Sequence, residues 1–95
     1  MPKFTKLSVA EHIRAHHPGC PEFAVEFFAA EIARKRRKGP TIGREVGIMM
    51  QNYLRHHMTD YDRLLLEGID RTDARTLVGP RIQAMLAIWR RRPTP

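Results

Sequence analysis

Ninety-five residues with 17 Lys plus Arg against 10 Asp plus Glu leave a formal charge of +7, and 42% of the chain is hydrophobic. That apolar share is too high for a wholly disordered chain, no run approaches the roughly 18 apolar residues of a membrane span, and the length suits one small domain. Cys20 is the single cysteine, which excludes an internal disulfide framework and fits a reducing, cytoplasmic compartment.

The punctuation of the chain predicts helices throughout, in one domain over residues 1–92 with a flexible tail at 93–95. Ser8 with Glu11 reads as a capping box opening a short helix that runs to about His16, where Pro18-Gly19 stops it. Pro21 suits the first turn of a second helix, which runs to about Lys38 and ends at Gly39-Pro40. In it Phe23, Phe27 and Ala30 form one apolar stripe and Val25, Phe28, Ala29 and Ile32 another, roughly opposite, the pattern of a helix packed on two sides. Thr41 caps a third helix to about His57, with Ile42, Val46, Met49, Met50 and Tyr53 on its apolar stripe. Thr59 with Asp62 caps a short fourth, closed by Gly68 with Ile69 as the hydrophobic contact beyond. Asp70 with Asp73 opens the last helix, where Ala74, Leu77, Val78, Ile82, Met85, Leu86 and Trp89 keep phase through Gly79-Pro80. Unbroken phase predicts one helix kinked near Pro80, not two. The expected fold is an all-α bundle of about five helices, with Phe23, Phe27, Phe28 and Trp89 anchoring the core.

The excess charge is concentrated. Residues 1–33 have a net charge of −1 and residues 39–89 balance, so the surplus lies in Arg34-Lys35-Arg36-Arg37-Lys38 and in Arg90-Arg91-Arg92. One or two bases satisfy a helix C-terminus; five in succession repel one another and favour an anionic partner. The second and third helices meet through Gly39-Pro40-Thr41, a turn of the length used by helix-turn-helix proteins. On the third helix Arg44, Gln51 and Arg55 share the face opposite the apolar stripe, with Ile48 near it, and Arg and Gln suit guanine and adenine edges. The leading expectation is therefore a nucleic-acid-binding protein, for DNA or RNA, acting through phosphate contacts from residues 34–38 with Arg44, Arg55 and Arg90 to Arg92.

Other constellations are weaker. His12 and His16 stand i, i+4 with His17 and Cys20 behind them, but structural zinc sites ordinarily use more than one thiolate, and Cys20 reads as a small buried residue. His56, Asp60 and Asp62 contain the groups for acid–base or metal-dependent hydrolysis, yet Thr59 and Asp62 are accounted for as caps, Tyr61 as a core edge and Asp60 as a helix-start charge. There is no glycine-rich phosphate loop and no paired-cysteine motif. The expectation is a binding protein with no metal and no cofactor; the alternatives are a protein-interaction module or homodimer, and after that a small hydrolase.

The stretch from Tyr53 to Leu65, with Gly68, Arg71, Ala74-Arg75, Val78 and Trp89, resembles the uncharacterised domain-of-unknown-function family 2293. The resemblance is carried by Arg55, His56, Thr59, Tyr61, Asp62, Leu64, Leu65, Gly68, Arg71, Ala74, Arg75 and Trp89. It covers roughly residues 32–90, with Ile32-Ala33-Arg34 and Gly43-Arg44 as its approach, and implies a domain without implying an activity. Physically, the cluster of His56, Thr59, Tyr61, Asp62, Arg71 and Arg75 reads as a polar knot. In it Arg71 and Arg75 pair with Asp60 and Asp62, while His56 or Tyr61 completes the hydrogen bonds. Exposed in a groove, the same groups suit a phosphate.

Overall fold

Short polar side chains set the helix starts by accepting first-turn N–H groups that have no partner within the helix. The computed structural model describes residues 4–35 and 41–91. These form α1 (Lys6–His16), α2 (Glu22–Lys35), α3 (Ile42–His57), α4 (Tyr61–Leu66) and α5 (Arg71–Arg90), with no strand among the described residues. The fold is all-α, a small five-helix bundle. The capping box of α1 lies one turn earlier than the sequence suggests: Thr5 is the N-cap, its hydroxyl accepting from the Ser8 N–H at 3.0 Å, while Ser8 Oγ accepts from the Thr5 N–H at 3.1 Å. Ser8 thus fills the role expected of Glu11. Thr41 and Asp70 cap α3 and α5 as expected, accepting from Arg44 N–H and Thr72 N–H, both at 3.1 Å.

Gly68 ends α4 at φ +90°, a conformation that costs glycine little. Its N–H donates to the Leu65 carbonyl and the Ile69 N–H to the Leu64 carbonyl, both at 3.0 Å, the paired bonds of a Schellman cap. Ile69 packs against the core. Helix α5 is continuous through Pro80, as unbroken apolar phase predicts.

The described chain is about two helices thick, with extents of 40 × 39 × 20 Å. α1 and α2 pair as a hairpin, α3 packs on both and on α5, and α4 bridges α3 to α5. The core is built from Val9 and Ile13 of α1, Val25, Phe28 and Ile32 of α2, Val46, Met50 and Leu54 of α3, and Ile82, Leu86 and Trp89 of α5. Phe28 and Trp89 anchor it as expected, their ring centroids 6.0 Å apart. Phe23 and Phe27 do not: they are 71% and 44% exposed. Helix α2 is buried on one apolar stripe only. Its opposite stripe is left largely uncovered among the described residues, with Phe27 met by Tyr53 of α3, and Glu22 and Glu26 occupy the flank facing α1, where they pair with Arg14 and Lys6.

The α1–α2 turn docks on the end of α5. The Gly19 N–H donates to the Trp89 carbonyl at 2.7 Å, satisfying one of the last carbonyls of the helix. A Cβ at Gly19 would lie 2.7 Å from the carbonyl oxygens of both Arg91 and Ile88, so only glycine fits this approach.

Candidate nucleic-acid interface

The residues singled out by the sequence fall into two groups, a corner between α3 and α5 and a set of arginines. At the corner, Thr59 donates its hydroxyl to the Arg55 carbonyl and accepts from the Tyr61 N–H at 3.2 Å. It bridges the end of α3 to the start of α4, and Asp60, the residue at the N-cap position, makes no side-chain cap there. Tyr61 is buried, edge-on to His56 at 5.3 Å, with the Arg55 guanidinium over its ring at 5.6 Å. His56 Nδ1 lies 2.7 Å from Asp62 Oδ1. Asp60 pairs instead with Arg63 at 3.1 Å, and Arg63 also reaches Glu67 at 2.9 Å.

The polar knot therefore forms only in part. His56, Tyr61 and Asp62 meet, but Asp60 is taken by Arg63, and Arg71 and Arg75 make no ion pair among the described residues. His56 and Asp62 form one exposed pair, and Asp60 is turned to Arg63. His12 and His16 stack with centroids 4.3 Å apart. Burial, and after it the neighbouring His16 charge, lowers the His12 pKa. Cys20 is buried, and desolvation pushes its thiol up to about 11. No three His, Cys, Asp or Glu side chains among the described residues are placed to hold a metal ion.

The arginines separate by partner. On the α1–α2 hairpin each described Lys and Arg side chain has an acid: Lys6 with Glu26 at 3.0 Å, Arg14 with Glu22 and Glu26, Arg34 with Glu31 at 2.8 Å. Arg14 holds the Glu22 carboxyl below its ordinary range by hydrogen bonding to it. By contrast Arg44 and Arg55 of α3, Arg71, Arg75 and Arg90 of α5, and Arg91 just beyond it make no ion pair among the described residues. Arg44, Ile48, Gln51 and Arg55 recur at helical spacing along the outward strip of α3. The Lys35 side chain, Arg36, Arg37, Lys38, Arg92 and the α2–α3 turn at residues 36–40 lie outside the described residues, as does the tail at 93–95.

Two features escaped sequence reasoning. Arg81 of α5 donates from Nε to the Met58 carbonyl at 2.8 Å and, with His57, Met58, Thr59 and Asp60, lines a shallow hollow of about 450 Å³. Phe27, Tyr53 and His57 form a surface row, with centroids 5.5 Å and 4.6 Å apart. The second apolar stripe of α2 was its sequence signal, read there as core.

The chain belongs to the family described as an uncharacterized conserved protein (DUF2293), whose sequence model matches residues 12–90. The match begins about 20 residues upstream of the stretch that carries the resemblance in sequence, and so takes in the end of α1 and all of α2. No curated protein and no solved structure matches the chain. No helix among the described residues is long and apolar enough to cross a membrane.

Proposed function

We propose that the protein binds nucleic acid through phosphate contacts made by arginines of α3 and α5, joined by the basic residues 34–38 and 90–92. The observation that carries the reading is the separation of charge. The acids of α2 are consumed by Lys6, Arg14 and Arg34, whereas Arg44, Arg55, Arg71, Arg75, Arg90 and Arg91 have no acid to neutralise them among the described residues. Unpaired guanidinium groups on an outward helix strip are the donors that phosphate oxygens take. A finer form of the reading has α2 and α3 acting in helix-turn-helix manner, with Arg44, Gln51 and Arg55 reading a major groove. A cytoplasmic setting accompanies it on the chemistry of Cys20, a free thiol.

The test is titration of labelled DNA at several salt concentrations. Affinity falls with a log–log slope of about −0.9 per phosphate neutralised on duplex and about −0.7 on a single strand. Replacing Arg44 and Arg55 by Gln reduces the magnitude of that slope by about 2 on duplex. A slope near zero, or one unchanged in the double variant, overturns the proposal.

A further inference from the structure

We propose that the nucleic acid taken is single-stranded, its bases stacking on an aromatic row made by the exposed Phe23, Phe27 and His57 and the half-buried Tyr53, which ends at Arg81. This rests on the nucleic-acid reading above and narrows it to a substrate class.

The row starts on the uncovered stripe of α2. Phe23 and Phe27 stand i, i+4 on one face, and both rings are open to water. Phe27 meets Tyr53 of α3 at 5.5 Å and 52°, and Tyr53 meets His57 one turn later at 4.6 Å and 32°. The platform is backed by the core, since Tyr53 stands edge-on to the buried Phe28 at 5.3 Å and 87°. Beyond His57 the surface dips into the hollow shared with Met58 and Arg81. Arg81 spends Nε on the Met58 carbonyl and makes no ion pair among the described residues. Toward the other end, two turns beyond Phe27, Arg34 is held by Glu31 and adds no free cation to the row.

Aromatic rings in series with an unpaired guanidinium group at one end suit a single strand: every base has a π-face to stack, and the backbone runs to the cation. A duplex buries its base faces and gains nothing from such a row. A second copy of the chain would also cover the aromatic rings, but it would bring two chains of charge +7 together with Arg81 at the contact, and like charges so placed oppose association. A polyanion covers the rings and neutralises the cation at once.

The experiment compares fluorescence anisotropy of a labelled DNA single strand of about 12 nucleotides, within the site sizes of such grooves, with the matching duplex. Wild-type protein binds the single strand more tightly. Phe23→Ala with Phe27→Ala weakens single-strand binding about 5- to 150-fold for each stacked base given up and leaves duplex binding unchanged. Phe27→Trp, which keeps a stacking face, retains affinity. Circular dichroism confirms that each variant is folded, and Phe23→Ala alone, at the more exposed ring, gives the same direction of effect should the double variant unfold. Tighter duplex binding, or single-strand affinity unchanged in the folded variants, overturns this proposal and leaves the electrostatic reading standing. Absence of binding to either form overturns both. Sedimentation showing a wild-type dimer that the Phe variants dissociate, with single-strand binding intact, assigns the row to a second copy and overturns the proposal.

Discussion

Replacing Gly19 by alanine tests how the two halves of the bundle are joined. The new Cβ would stand 2.7 Å from the Arg91 and Ile88 carbonyl oxygens and 3.1 Å from that of Trp89. All three are backbone atoms, so no side chain can swing aside. Either the α1–α2 turn lifts or the end of α5 retreats, and the Gly19–Trp89 hydrogen bond weakens with it. Overpacking of this kind costs about 1–3 kcal/mol, to which a compromised hydrogen bond adds about 0.5–1.5 kcal/mol. In a domain of this size each kcal/mol shifts Tm by about 4–8 °C, so a combined cost of about 1.5–4.5 kcal/mol lowers the Gly19→Ala melting temperature by about 6 °C at the least and about 36 °C at the most. Thermal unfolding followed by far-UV circular dichroism reads it. Gly47→Ala is the control: it lies within α3, a Cβ there meets nothing within 4 Å, and relief of glycine's entropy cost stabilises by about 0.5–1 kcal/mol. A Gly19→Ala protein melting at or above the wild-type temperature refutes the close approach and, with it, the docking of the hairpin on α5.

Phe28→Ala, which empties a fully buried site, costs about 3–5 kcal/mol, whereas Phe23→Ala stays within about 0.5 kcal/mol; urea titrations separate the two. Asp62→Ala removes a pair exposed on both sides, so it costs at most about 1 kcal/mol, and a larger loss would restore the idea of a structural lock. The pH dependence follows His12 and His17, whose pKa values are lowered first by burial, then by the charge of His16 for His12 and of Arg90, before those of His12 and His16, for His17. The unfolded chain binds protons that the folded one refuses. Stability is therefore complete above the ordinary value of 6.5 and declines as pH falls through it toward the folded values. His17→Gln flattens the plot of Tm against pH on the acid side; an unchanged slope argues against His17 as a source. Cys20, its thiol pushed up to about 11 and buried, alkylates slowly in the native protein at pH 8 and fully on unfolding, as mass spectrometry can follow.

Helix number, order and most ends were legible because each rests on a local rule. The Thr41 and Asp70 caps and the Gly68–Ile69 closure involve residues within a few positions of one another. The α5 core face was legible because one phase runs from Ala74 to Trp89, although Leu77, expected on that stripe, is exposed. What failed was the inference from apolar to buried. Phe23, Phe27 and Phe28 have the same side chain, and only the placement of α1, α3 and α5 decides that Phe28 is covered and the other two are not. Periodicity reveals two stripes; it does not reveal how many neighbours arrive to cover them. Ion-pair partners were hidden for the same reason. Arg63, one turn from both Asp60 and Glu67, outcompetes Arg71 and Arg75 for acids that sequence alone leaves equally available.

The residues that carry the family resemblance divide by task. Thr59 joins α3 to α4, Asp62 holds His56, Tyr61 and Ala74 are buried, Leu64 and Leu65 pack against the core, Gly68 makes the turn and Trp89 closes the bundle. These side chains build a corner, and building it requires no ligand. Two members of the set, Arg71 and Arg75, have no acid and no carbonyl to hold among the described residues, and both are exposed. A guanidinium unspent on the fold is available for phosphate. Arg71→Gln with Arg75→Gln therefore leaves stability within about 0.5 kcal/mol of wild type. The same variant lowers nucleic-acid affinity and reduces the salt slope by about 1 for each arginine that engages a phosphate. A variant that instead loses stability and keeps its affinity would return both arginines to the corner and confine the cationic surface to α3 and the chain's two basic runs.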